Sequence, residues 1–153
     1  LLFMSIILTR NLPCGTNLTW WIFVTIWACD TGAFFTGIFW GKIPLAPNIS
    51  PKKTLEGSLG GILLSVIVCT IFKIYFLPEI SNLYAVILGF LIAFVSQAGD
   101  LSASLIKRYC KIKDFSNIIP GHGGILDRLD SALFSFPVAY IYIVLLFQKG
   151  GLS

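Results

Sequence analysis

The chain has 153 residues, of which 56% are hydrophobic, 14% aromatic and only 12% charged, and its mean hydropathy is +0.87. Globular chains carry about 25% charged residues, and half that share is too little to cover a soluble fold; the same apolar content excludes a disordered chain, a nucleic-acid-binding arm and a disulfide-rich secreted domain. A polytopic membrane protein remains, with a formal net charge of +4 whose placement matters more than its sum.

The apolar stretch Leu1–Thr9 opens the chain. It has no initiator Met at its first position, no basic flank and no A-x-A cleavage site. It reads as the tail of a membrane helix, and the chain is expected to be a fragment or a short member of its family. Crossing a bilayer takes about 20 mostly apolar residues. Four stretches qualify: Leu18–Trp40, interrupted by Asp30; Ser58–Leu77, with Lys73 near its end; Ile80–Ala98; and Leu129–Phe147, with Pro137 inside. Pro78 and Glu79 make a tight turn between the second and third. These runs are continuous rather than alternating, which argues against a membrane barrel; no strand is expected. The expected fold is all-α, a single polytopic transmembrane helical bundle over residues 1–153, with four complete spans plus a partial N-terminal one.

The loops divide by charge. Gly41–Gly57 holds Lys42, Lys52 and Lys53, and Asp100–Arg128 holds Lys107, Arg108, Lys111, Lys113 and Arg128, together eight of the eleven basic residues. If the spans alternate, both loops lie on one side, and the positive-inside rule makes that side cytoplasmic. The four cysteines (Cys14, Cys29, Cys69, Cys110) form no CxxC pair, and a single His excludes a His-rich metal site; the cysteines read as small apolar residues.

Both basic loops carry residues suited to chemistry. If the third span continues as a helix, Asp100, Ser104 and Lys107 stand at i, i+4 and i+7 on one face, with Arg108 beside them. A carboxylate, a hydroxyl and two cations so placed can hold a metal and a phosphate together; an interfacial helix with snorkelling basic residues has the same pattern. Further on, Gly121, Gly123 and Gly124 surround His122, and glycine permits close backbone approach to a ligand. Asp127 and Asp130 follow at i, i+3 as the fourth span opens, where helix capping is an alternative. Asp100 and Asp127 both sit at cytoplasmic helix ends and can converge. Two carboxylates with phosphate oxygens suit Mg²⁺, whereas Zn²⁺ would need Cys and His ligands that are absent here.

In the first basic loop, Pro44, Pro47 and Pro51 stiffen the chain, and Thr54 is placed to cap a helix running into the second span. Ser50, Lys52 and Lys53 precede that helix start, where ammonium charges and free N–H groups add up to an anion site; ordinary positive-inside charge is the competing account. The pattern GxxxxGK[ST] is absent, so this is no Walker loop. Asp30 could face the bundle interior, coordinate an ion, or cap a re-entrant turn with Thr31 and Gly32. Gly57, Gly60 and Gly61 offer a close helix contact.

The run Ser104-x-Ile106-Lys107-Arg108-x₄-Lys113-Asp114-x-Ser116-x₂-Ile119-Pro120-x-His122-Gly123-Gly124-Ile125-x-Asp127-Arg128-Leu129-Asp130 resembles the signature of the phosphatidate cytidylyltransferases, or CDP-diacylglycerol synthases, without departure. Ser50-Pro51-Lys52-Lys53-Thr54-x-Glu56-Gly57 and Gly99-Asp100-Leu101 are similar to that family as well. The resemblance covers about Ala28 to Asp130 well; family members usually carry more N-terminal membrane helices. It implies a reaction of CTP with phosphatidate that gives CDP-diacylglycerol and pyrophosphate, a Mg²⁺ requirement, and a homodimer in the bacterial inner membrane with its site facing the cytoplasm.

On this resemblance Asp100 and Asp127 would hold Mg²⁺, with a second cation such as K⁺ compatible with the pair. Lys52 and Lys53 would take the β- and γ-phosphates of CTP. Lys107 and Arg108 would neutralise the lipid phosphate or the α-phosphate, and Ser104 would hydrogen-bond a phosphate. His122 and Gly123 would shape the nucleotide site, and Asp130 would orient Arg128 or Lys107 or join the metal shell. No nucleic-acid partner is expected. The rival functions are a CTP-dependent polyprenol or phytol kinase, an ion or solute transporter using Asp30, Asp100 and Asp127, and an inactive fragment of a larger chain.

Overall fold

The computed structural model describes residues 2–47, 49–112 and 126–148, with residues 2, 3 and 126–129 described by their backbone alone. In chain order the elements are α1 (Leu2–Arg10), α2 (Gly15–Trp40), β1 (Pro44–Ala46), β2 (Ser50–Thr54), α3 (Leu55–Phe76), α4 (Asn82–Tyr109) and α5 (Leu126–Gln148). Among the described residues, four helices are long and apolar enough to cross a membrane: Gly15–Trp40, Leu55–Phe76, Asn82–Tyr109 and Asp130–Gln148. The fold is a polytopic helical bundle, as its apolar runs predict.

Burial follows the same logic. Leu18, Trp21, Ile22, Leu88, Ile92, Phe136 and Ile143 form the centre of the bundle. Large apolar side chains such as Trp27, Phe34, Phe39, Leu63 and Phe94 stand exposed around it, an outer surface suited to lipid rather than water. Two large polar side chains inside bond across helices, while the buried Ser96 and Ser135 hydroxyls have no partner among the described residues. The Trp21 indole Nε1 donates to the Cys69 carbonyl at 2.8 Å, and the Tyr142 hydroxyl donates to the Tyr84 carbonyl at 3.1 Å. Such bonds tie neighbouring helices where no water can substitute.

The α2–α3 seam is lined with glycine. A Cβ on Gly32 would lie 2.9 Å from the Gly60 carbonyl oxygen, one on Gly57 2.8 Å from the Ala33 carbonyl oxygen, and one on Gly60 2.2 Å from the Thr36 hydroxyl. Only hydrogen fits at these crossings, so the two backbones approach as closely as membrane helices can. Gly57, Gly60 and Gly61 make the close contact expected of them.

Two features differ from expectation. The first basic loop folds into an antiparallel hairpin, with Pro44 opposite Thr54, Ala46 opposite Ser50 and a register shift between. No strand is expected because the apolar runs are continuous rather than alternating; the ribbon lies instead in the basic loop, where prolines are tolerated on two strands that are both edges. α2 runs through Asp30 without a break, so the re-entrant turn at Asp30–Gly32 is corrected: Gly32 serves the seam instead. The third span also extends to Tyr109, which makes the helical face through Asp100, Ser104 and Lys107 real.

Candidate active site

The hairpin is rooted by its own sequence. Thr54 takes the extended conformation of an N-cap, and its hydroxyl accepts from the Gly57 N–H at 3.2 Å. Glu56, in the first turn of α3, accepts from the N–H groups of Lys42 at 3.1 Å and Ile43 at 3.2 Å. Its carboxylate thereby holds both the helix start, where negative charge is favoured, and the chain leaving α2. Leu55 N–H donates to the Ile43 carbonyl at 2.9 Å and closes the base. Near the tip, Arg108 Nε at the end of α4 donates to the Ile49 carbonyl at 3.2 Å.

Between root and tip, Lys53 forms an ion pair with Asp100 of α4, both side chains being about a third exposed or less, at 27% and 35%. Neighbouring residues on a strand point to opposite faces. Lys53 therefore faces the helices while Lys52 is exposed on the other side. One lysine thus faces inward and the other faces solvent. Arg108 is likewise turned from the face it was expected to share with Lys107, because adjacent helical residues diverge by about 100°. It is exposed and engages the hairpin.

More charge gathers around Asp100. Asp130, in the first turns of α5, is 7% exposed. Its Oδ1 accepts from the Ser131 N–H at 2.7 Å, and Asp100, Lys107 and Lys53 lie within electrostatic reach of it. Asp30 of α2 is within the same reach of Asp100, Asp130 and Lys53. Asp30 stands ten residues before the end of α2 and Asp100 nine before the end of α4. At about 1.5 Å per residue, each is set back some 15 Å from its helix end. What results is a set-back cluster of charges, a recess only in this sense, in which carboxylates from α2, α4 and α5, with Asp30 exposed, lie within reach of ammonium groups from β2 and α4.

The remaining expected site residues fall as follows. Ser50 is half-buried on β2, opposite Ala46. Ser104 is half-buried one turn beyond Asp100. Asp127 and Arg128 belong to the first turn of α5 by their backbone, which puts Asp127 one turn before Asp130; their side chains, and all of His122 and Gly123, lie outside the described residues. Sequence pattern leaves Asp30 undecided. Its signal is a carboxylate inside an apolar span, which is costly there unless it serves a site.

The arrangement can bind anions and a hard cation side by side. Among the described residues no three Asp, Glu, His or Cys side chains converge as a ready metal cage. One or two carboxylates completed by phosphate oxygens and waters are the usual setting for Mg²⁺, and the donor set here fits that mode.

The description "Cytidylyltransferase family" belongs to a family model that matches residues 1–146. The chain belongs to that family. It is 42% identical over 137 residues to the phosphatidate cytidylyltransferase of Bacillus subtilis, covering 89% of this chain and 51% of the relative. For the Synechocystis enzyme of the same name the identity is 44%, covering 90% and 46%, and for that of Haemophilus influenzae 41%, covering 86% and 48%. This cytidylyltransferase-family chain thus spans about half the length of the relatives it matches. Its fold is also similar to a solved intramembrane enzyme of archaeal membrane-lipid biosynthesis, with a TM-score of 0.58 at 18% identity over 87% of this chain and 92% of that one.

Proposed function

We propose that the protein transfers a cytidylyl group from CTP to phosphatidate, giving CDP-diacylglycerol and pyrophosphate, at the cytoplasmic face of a bacterial inner membrane. The observation that carries this reading is the recess itself, where Lys53 of the hairpin meets Asp100 while Asp30, Asp130 and Lys107 lie within electrostatic reach. A lipid phosphate at the interface and a soluble triphosphate are both anions, and a site that joins them needs fixed cations beside carboxylates. The family relationship supports the choice of CTP and phosphatidate, and the side with most basic residues supports the cytoplasmic orientation.

The reaction is an in-line displacement. A phosphatidate oxygen attacks the α-phosphorus of CTP, a new P–O bond forms, and the bond to the bridging α–β oxygen breaks with its electron pair leaving on pyrophosphate. The attacking phosphate is already ionised, so no side chain has to remove a proton. Catalysis is then positioning and electrostatic stabilisation. Lys53, held inward by the hairpin, neutralises the β- and γ-phosphates, while exposed Lys52 draws the nucleotide in from solvent. Lys107 and Ser104 take the reacting phosphates on the α4 face. Arg108 steadies the hairpin through Ile49 and presents its guanidinium to the head-group layer. Asp130 orients Lys107, and His122 with Gly123 borders the nucleotide. Mg²⁺ held by Asp100 and Asp127, with a second cation such as K⁺ beside it, would supply charge neutralisation at the phosphate oxygens. A homodimer completes this reading.

The test is turnover of the purified protein in lipid–detergent micelles with labelled CTP, phosphatidate and Mg²⁺. Mg²⁺-dependent appearance of lipid-linked label together with pyrophosphate is expected. Release of CDP with a phosphorylated lipid would replace this reading by a lipid kinase, and CTP-independent ion flux in liposomes by a transporter.

A further inference from the structure

We propose that Gln97 is a positioning residue: it pins α2, α3 and α4 in the one register that brings Asp30, Lys53 and Asp100 into a single recess. The inference rests on the reading of that recess as the reacting site.

The side chain of Gln97 has one amide carbonyl and two N–H donors, and all are engaged across helices. Its Oε1 accepts from the Ser58 hydroxyl. Its Nε2 donates to the Ser58 carbonyl at 3.1 Å and to Cys29 Sγ at 3.5 Å. Each partner is a fixed step from a charged residue. Cys29 immediately precedes Asp30 on α2. Ser58 lies in the first turn of α3, five residues after Lys53, and α3 follows directly on Thr54, the last residue of β2. Asp100 is one turn beyond Gln97 on α4.

The packing explains why such a device is needed here. A glycine seam sets how near two helices lie, but its smooth surface offers few knobs to resist sliding or rotation. Hydrogen bonds are directional, and in an apolar interior their loss is not made good by water. The amide is fitted to the seam: a Cβ on Gly61 would lie 3.2 Å from Gln97 Nε2, so the same glycine that admits α2 also admits the amide. Cys29 is fully buried, which leaves its side of the amide no alternative partner in solvent.

The experiment compares Gln97→Met, which keeps length and loses every hydrogen bond, with Ser58→Ala and Ser58→Thr. A misplacement of about 1 Å can cost on the order of 100-fold in rate. Gln97→Met and Ser58→Ala are expected to lower kcat about tenfold to 100-fold. KM for phosphatidate stays unchanged, because Lys107 and Ser104 share α4 and move together. Ser58→Thr restores the hydroxyl and the rate. Mn²⁺ binding without nucleotide, read by electron paramagnetic resonance, weakens in Gln97→Met and in Ser58→Ala and matches the wild type in Ser58→Thr, by more than any drop in thermal stability in detergent accounts for. Wild-type kcat and Mn²⁺ affinity in Gln97→Met would overturn the proposal, as would losses that track melting temperature and persist in Ser58→Thr. If the wild-type protein turns over no CTP, the functional reading fails on its own, and the Mn²⁺ measurement still decides the placement.

Discussion

The two ends of the bundle both carry cations held by polar partners, yet they are built differently. At the end opposite the hairpin, Lys73 is 8% exposed and donates to Asn82 Oδ1 at 2.8 Å; Arg10 bonds the Thr16 hydroxyl; and Asn17 Nδ2 donates to the Phe76 carbonyl at 3.4 Å. Each contact closes a turn or a helix end. At the hairpin end, charges of both signs arrive from α2, β2, α4 and α5, and what they close is a recess. Cation content therefore does not separate structure from chemistry in this chain. Convergence of carboxylates from separate helices on one lysine does.

That contrast can be broken by substitution. The largest effect is expected for Asp100→Asn, which keeps shape and removes charge: kcat should fall by about 10²–10³-fold, the usual cost of one preorganised electrostatic group. Normal Mg²⁺-dependent turnover in this variant would remove Asp100 from the metal. Lys53→Met comes next, at about 2 kcal/mol for a charge-assisted bond, or roughly 30-fold in kcat/KM, with the loss falling mainly on KM for CTP. Arg108→Ala frees the hairpin tip and should cost about 1 kcal/mol, near fivefold in kcat/KM, together with faster amide exchange in β1 and β2. Lys73→Met at the far end is the control. Turnover should be unchanged and stability altered by less than about 1 kcal/mol, because an apolar chain of like length replaces a bond whose partner, Asn82, reaches solvent. A Lys73 effect as large as that of Lys53 would erase the distinction between the ends.

Much of this was legible in the amino-acid pattern, for stated reasons. Long apolar runs leave little choice but spans, so the helices agree with expectation. The Thr54 cap and the extension of α4 through Lys107 follow from local chemistry that needs no knowledge of the fold. What stayed hidden depends on partners far away in the chain. Asp30 and Asp100 meet because α2 and α4 both pack on α3, and no local pattern records that. Gln97 looks like any polar residue near a helix end until Ser58 and Cys29 are placed beside it. The hairpin was hidden by Pro44, Pro47 and Pro51, which speak for a loop unless Glu56 and Arg108 are seen holding its root and tip. The division between Lys52 and Lys53 was hidden with it, since their opposed directions exist only on a strand.

Thr54 is both the last residue of β2 and the cap of α3, so no slack linker separates Lys53 from the helix. α3 has 22 residues and behaves as a stiff rod about 33 Å long at roughly 1.5 Å per residue. Its far end is Phe76, whose carbonyl is held by Asn17 at the base of α2. On the proposed function, a triphosphate held by Lys53 would therefore pull on a lever that crosses the whole bilayer, and occupancy on one leaflet would become a mechanical load at the other.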